Sequence, residues 1–172
     1  PGFVPMGATE EIERLMPFLS AVLKECPVPV SVDTFKAETA RAALSAGVHI
    51  LNDIWGLQYA EEPEDQAHSI VLPATADVSD VPVIVMHNQH GTSYDNDIIS
   101  AMRAFFVQSF AISDAAGLCR ENLILDPGIG FGKTAEDNLR VLHHMDGLIS
   151  YEGEAYPLLL GASRKSFIGA AL

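Results

Sequence analysis

The segment Asp126-Pro127-Gly128-Ile129-Gly130-Phe131-Gly132-Lys133-Thr134 sets a carboxylate ahead of three alternate glycines with an aromatic ring among them. It misses the phosphate-cradling pattern GxxxxGK[ST], because Pro127 stands where the first glycine must be. The dinucleotide pattern GxGxxG fails as well, since the glycines fall at 128, 130 and 132. What remains is a turn whose backbone can approach a flat ligand, with Asp126 to bond it and Phe131 to face it. A purely structural turn between strand and helix is the competing reading. Asp33, in Ser31-Val32-Asp33-Thr34-Phe35, and Asn52-Asp53 also follow apolar runs, and each alone could be a helix cap or a turn. Gly161-Ala162-Ser163-Arg164-Lys165 gathers a hydroxyl, a guanidinium and an ammonium, which suits an anion or carbonyl ligand unless it is a solvated loop. Two carboxylates, one carboxamide and one lysine together suit a heterocycle with several donors and acceptors. His87 and His90 have HxxH spacing but no third ligand, so no metal site is expected there. His143-His144 reads as helix surface and Trp55 as packing.

These groups need elements to hold them. Short apolar runs recur, each ending in a polar or small residue: Val28–Val32 before Asp33, His49–Leu51 before Asn52, and Val81–Met86 before His87. Leu123–Leu125 precedes Asp126, and Leu158–Leu160 leads through Gly161 to Ser163. Helical patterns lie between them. Residues 9–25 place Ile12, Leu15, Met16, Leu19, Val22 and Leu23 on one face, with Thr9 as N-cap, Glu10 and Glu11 in the first turn, and a kink at Pro17. Residues 36–46 read as a helix stopped by Gly47, and residues 97–116 as one ending at Gly117. Thr134 should cap a helix bearing Leu139, Leu142 and Met145, stopped by Gly147, and residues 66–79 should be helical despite Pro73. Apolar strands alternating with helices are parallel βαβ units. Either an open doubly wound sheet or a (β/α)₈ barrel follows, and both collect function at the carboxyl ends of their strands.

The chain has 172 residues, enough for one domain, residues 1–172, and a sizeable core. A closed barrel takes about 250 residues, and five strands are too few for one. An incomplete (β/α)₈ TIM barrel is therefore expected, with two unpaired edges that favour aggregation. A net charge of −13 disfavours nucleic acid and anionic membranes as partners. No apolar run reaches the ~18–20 residues of a membrane helix. Cys26 and Cys119 form no CxxC and read as free thiols of a reducing, cytoplasmic compartment.

The stretches SVDTF, HILNDIWGLQ, VPVIVMHNQHGT, LILDPGIGFGKT and LLLGASRKSFIG resemble dihydropteroate synthase, the folate-pathway family that sulfonamides inhibit. They keep the family's order over almost the whole chain, and Pro1-Gly2-Phe3 looks like the tail of its STRPG loop. The resemblance implies condensation of a dihydropterin-methyl pyrophosphate with p-aminobenzoate, releasing pyrophosphate with the help of Mg²⁺. It implies that Asp33, Asn52, Asp126 and Lys165 bond the pterin, that Ile54 and Met86 wall it, and that Gly161 lies against it. Asp33, Asp126 and Lys165 would be the catalytic groups. Pro1, Phe131 and Ser163 would line the p-aminobenzoate site, with Arg164 beside it. Residues 1–172 would supply strands three to seven. The family's first strand, with its metal-binding Asn, and its last strand, with an Arg and a His, would lie outside. No metal ligand is expected within this chain, and the chain alone should be inactive. A homodimer is carried by the resemblance only. The rival readings are a pterin-dependent methyltransferase barrel, a non-catalytic paralogue serving as a partner subunit, and a P-loop ATPase, which Pro127 opposes.

Overall fold

The structure, a computed structural model, describes residues 6–59 and 80–171. Helices and short strands alternate through these residues. Helix α1 (Ala8–Glu25) leads to β1 (Ser31–Asp33), α2 (Ala37–Ser45) and β2 (Ile50–Asp53). Strand β3 (Val83–Met86), α3 (Ile98–Ala115), β4 (Leu123–Asp126) and α4 (Ala135–His143) follow. A small hairpin of β5 (Ser150–Tyr151) and β6 (Glu154–Ala155) precedes α5 (Ser166–Ala171).

Strands β1 to β4 form one sheet in the order β1-β2-β3-β4, and every pairing is parallel. A doubly wound sheet reverses its strand order at a switch point, whereas a barrel adds each new strand beside the last. The sequential order is that of the barrel. The expected strand at Leu158–Leu160 is shorter than its composition suggests: it contributes one parallel bridge, Leu125 to Leu158. The Leu125 amide donates to Pro157 O at 2.9 Å and the Leu159 amide to Leu125 O at 2.8 Å, continuing the progression beyond β4.

Register assigns each strand residue to a face. Asp33, Asn52, Ile84 and Ile124 are paired in one row, and Met86 pairs Asp126 two residues further on. Because side chains alternate along a strand, all of these point to one side of the sheet. Val32, Leu51, Val83 and Leu123 form the opposite row, with Asp53, Val85 and Leu125 two residues on. That second face carries the hydrophobic core, where the strand residues pack with Leu19 of α1, Ala40 and Ala43 of α2, and Met102, Phe106 and Phe110 of α3. The helices thus cover one face and leave the other to the polar strand ends.

Several helix limits depart from the sequence pattern. Thr9 lies inside α1, and Gly7 is the N-cap, accepting from the Glu11 amide at 3.1 Å. The earlier start carries Glu11 to Thr34 and Lys36, contacts that a local pattern does not contain. The helix runs through Pro17, whose ring is exposed. Gly47 and Gly117 stop α2 and α3 as expected, through paired bonds from Gly47 N to Leu44 O and Val48 N to Ala43 O, and likewise from Gly117 N to Asp114 O and Leu118 N to Ser113 O. Gly147 stops nothing: α4 ends at His143, and a 3-10 turn spanning Met145–Leu148 includes the glycine and buries Leu148. The helix expected over residues 66–79 lies outside the described residues. No described helix is long and apolar enough to cross a membrane.

Thr134 does cap α4. Its hydroxyl accepts from the Asp137 amide at 3.1 Å while the Asp137 carboxylate accepts from the Thr134 amide at 3.0 Å. Thr134→Ala is expected to lower stability by about 1 kcal/mol in urea denaturation, and Thr134→Ser to recover most of it. An alanine variant as stable as the parent would show that the box contributes nothing.

Candidate binding site at the strand ends

The site lies where the polar row of the sheet meets the loops after β1 to β4. Asn52 donates its side-chain amide to the Asp33 carboxylate, joining the ends of β1 and β2. Partial burial pushes Asp33 above the usual carboxylate range; the bond from Asn52 opposes that shift and the nearby Glu11 adds to it. The Asn52 Oδ1 is buried and has no hydrogen-bond partner, which leaves one acceptor waiting for a donor. Behind Asp33, Thr34 donates its hydroxyl to Glu11 Oε1 at 3.0 Å, and Lys36 pairs with the other oxygen of Glu11. The Thr34 amide donates to Asn52 O at 3.0 Å. The loop after β1 is therefore tied both to α1 and to β2.

Asp126 stands at the end of β4, 8% exposed. Its Oδ1 accepts from the Gly128 amide at 2.7 Å. Burial raises its pKa, while the Gly128 amide, Lys133 and Lys165 pull it down. Gly128 sits at φ +63, and a Cβ there would lie 2.0 Å from His87 O. No side chain fits, so the turn can pass the end of β3 only as glycine. The rest of the turn is held by side chains: Gly130 donates to Asn138 Oδ1 at 2.7 Å, and Tyr94 donates its hydroxyl to Gly132 O at 2.7 Å. Phe131 emerges from this turn with Lys165 Nζ 4.4 Å from its ring centroid. Lys165 thus lies over Phe131 from the loop before α5, near enough for its charge to lower Asp126.

The expected site residues fall into groups. Asp33 and Asn52 are bonded to each other, Met86 and Asp126 are paired across β3 and β4, and Lys165 lies over Phe131. Ile54 is half-buried in the turn after β2. Gly161, Ser163 and Arg164 lie exposed in the loop before α5, and Arg164 adopts a left-handed φ of 58° that a non-glycine residue reaches only at a cost. Pro1 is outside the described residues. Among the described residues no group of three His, Cys, Asp or Glu side chains could hold a metal ion. The His90 ring lies tilted against Trp55, centroids 4.6 Å apart, so Trp55 packs as expected from the sequence.

Two further residues hold the site: Asp53, in the turn role that its sequence context allowed, and Lys133, which the sequence did not single out. Asp53 faces the helices and is fully buried, with its two oxygens accepting from Trp55 N and Leu57 N, both at 2.8 Å. It closes the turn that presents Ile54. Burial pushes Asp53 up to about 7, against the two amides that lower it. Lys133 is buried and bonds Gly128 O, Phe131 O and His87 Nδ1. Its position in a failed P-loop pattern was the available hint.

Two substitutions test this construction. Gly128→Ala should cost about 2–5 kcal/mol in equilibrium denaturation, because it combines a left-handed alanine with a backbone collision. A loss under 1 kcal/mol would mean that the turn swings away from His87 at little cost. The buried Asp53 holds a proton that the unfolded chain releases near 3.8, so stability should fall as pH rises from about 4 to about 7. Asp53→Asn should lack that slope and be less stable at pH 5 by about 1–3 kcal/mol, since an amide nitrogen would then face a backbone N–H. Equal slopes for parent and variant in thermal melts across this range would contradict the assignment.

Known proteins share this arrangement. The family model described as pterin binding enzyme matches residues 1–172. Dihydropteroate synthase from Bacillus subtilis is 40% identical over 172 residues, which is all of this chain and 56% of that protein. The one from Clostridium beijerinckii is 39% identical over 175 residues, 100% of this chain and 59% of that protein. A crystal structure of dihydropteroate synthase from Clostridium difficile in the presence of pteroic acid superposes with a TM-score of 0.82 at 38% identity, covering 99% of this chain and 60% of that one. Dihydropteroate synthase from Thermus thermophilus in complex with 6HMPPP gives 0.76 at 37% identity, covering 97% and 60%. The chain thus spans less than two thirds of the length of these relatives. The four-stranded parallel sheet with its strand-end acids, the match over all 172 residues and these identities establish that the chain belongs to the pterin binding enzyme family.

Proposed function

We propose that the protein containing this chain condenses 6-hydroxymethyl-7,8-dihydropterin pyrophosphate with p-aminobenzoate, giving 7,8-dihydropteroate and pyrophosphate, as a transferase of folate biosynthesis. The observation that carries this reading is the unpartnered, buried Oδ1 of Asn52 between strand ends bearing Asp33 and Asp126. Three acceptors on one face of the sheet call for a ligand rich in N–H groups, and the amino-oxo ring of a pterin is one. Lys165 supplies the complementary donor for its carbonyl oxygen. The named relatives and the pteroic acid beside one of them support the same assignment.

In this reading Asp33, Asn52, Asp126 and Lys165 bond the pterin, Ile54 and Met86 wall it, and Gly161 lies against it. Phe131, Ser163, Arg164 and Pro1 would border the aniline. As pyrophosphate leaves, positive charge develops on the pterin, and fixed carboxylates at Asp33 and Asp126 stabilise it without reorganising. The lone pair of the aniline nitrogen then attacks the methylene carbon, and the nitrogen releases its proton. Mg²⁺ would assist departure of the pyrophosphate; among the described residues no three His, Cys, Asp or Glu side chains group to hold it. The free thiols Cys26 and Cys119 support a reducing compartment such as the cytoplasm, and the acidic balance speaks for small-molecule partners rather than nucleic acid. A homodimer and sulfonamide inhibition belong to the same proposal.

The test is incorporation of labelled p-aminobenzoate into pteroate by the full-length protein supplied with the dihydropterin pyrophosphate and Mg²⁺. Asp126→Ala and Lys165→Ala should each lower kcat/KM by about 10²-fold or more. The 172-residue chain alone should show no turnover. A folded full-length protein that binds pterin yet incorporates no p-aminobenzoate would sink the proposal and favour methyl transfer or a silent paralogue.

A further inference from the structure

A buried lysine is costly unless its ammonium is fully bonded, and Lys133 meets that condition in an instructive way. It is 8% exposed, and Nζ lies 2.9 Å from His87 Nδ1, 3.1 Å from Gly128 O and 3.1 Å from Phe131 O. Burial, joined by the charge of Lys133, lowers His87 to about 3, so the ring is neutral and its Nδ1 can accept. Burial lowers Lys133 itself to about 7, and in its charged form each of the three ammonium protons has a protein acceptor, with none left for a ligand. Two of the acceptors are carbonyls of the glycine turn, one on Phe131 itself. The third belongs to the residue just past β3, whose amide donates to Asp126 O at 2.9 Å. Lys133 therefore ties the turn bearing Phe131 to the end of β3, and the His87 amide bonds that end to Asp126. The glycines that let this turn approach β3 also leave it with no side-chain packing of its own at 128, 130 and 132.

We propose that Lys133 is a positioning residue, which fixes the Phe131 ring over the p-aminobenzoate side of the pocket by clamping the Gly128–Phe131 turn to the end of β3. This rests on the transferase reading above and adds to it a residue that touches neither substrate. Removing the clamp should loosen the aryl subsite and leave the Asp33–Asn52 side of the pocket alone, because β1 and β2 are tied by separate bonds.

The experiment compares the full-length protein with Lys133→Met, which keeps an unbranched apolar stem, one atom shorter, and removes the donors. Two readouts are taken: hydrogen exchange, and the Michaelis constants of the two substrates. Exchange should quicken in residues 128–134 and stay unchanged in β1 and β2. The KM for p-aminobenzoate should rise at least about tenfold, while that for the dihydropterin pyrophosphate changes less than about threefold. Lys133→Gln, which can still donate to a carbonyl, should fall between parent and Met in both readouts, and it replaces Met if that variant does not fold. Unchanged exchange in residues 128–134 overturns the clamp whatever the enzyme does. Both KM values rising together, or neither rising, overturns the aryl-subsite role and leaves a merely structural lysine. If the parent makes no pteroate, the transferase reading has failed and the KM role of Lys133 falls with it, while exchange still decides whether the clamp exists.

Discussion

Parallel register is the constraint from which the rest of this structure follows. In a parallel sheet each strand residue is locked opposite its neighbours, and alternate residues face opposite sides. Covering one side with helices therefore selects half of every strand for the core and releases the other half. Val32, Leu51, Val83, Val85, Leu123 and Leu125 form the buried half. Asp33, Asn52, Met86 and Asp126 belong to the released half, near or at the strand ends. A one-residue slip of any strand would exchange the two sets, placing a carboxylate among α2 or α3 and an aliphatic residue in the site. The energy that holds the core together is thus the same energy that aims the polar residues.

The loops add precision to what the sheet provides. After β1, the Glu11 carboxylate takes Thr34 and Lys36 together, so α1 holds Asp33 from behind. After β2, Asp53 folds its turn around two backbone amides. After β4, the glycine turn is held by Asp126, Lys133, Asn138 and Tyr94, each bonded to a backbone group of the turn. After β2 and β4 these polar side chains satisfy backbone groups that no ladder or helix can reach. Their partial desolvation is visible in the raised acids Asp33, Asp53 and Asp126 and the lowered Lys133.

The three raised acids differ in what surrounds them. Asp53 is fully enclosed, with both oxygens committed to the protein, and it faces the helices. Asp33 and Asp126 lie on the other face, where Asp33 accepts from Asn52 and Asp126 commits one oxygen to the Gly128 amide. Position in the register separates a residue of the free face from one of the core face even for Asn52 and Asp53, which are adjacent in sequence.

The sequence by itself determined the alternation of strands and helices, the left-handed stops at Gly47 and Gly117, the Thr134 cap and the acids at strand ends. Each of these is local: it rests on periodicity, a single backbone conformation or a bond three residues away. The motifs SVDTF, DPGIGFGK and SRKSF also carried the family resemblance, because their residue types are held in order along the chain. The tertiary structure alone decided matters that depend on distant partners. It showed that α1 begins before Thr9, that Gly147 lies within a 3-10 turn, and that Leu158 contributes a bridge rather than a full strand. It also turned Asn52 to the site and Asp53 to the core, and gave Lys133 three acceptors drawn from two strand ends. A hydrogen bond across tens of residues leaves no trace in local pattern, since either partner alone is only a polar residue in a loop.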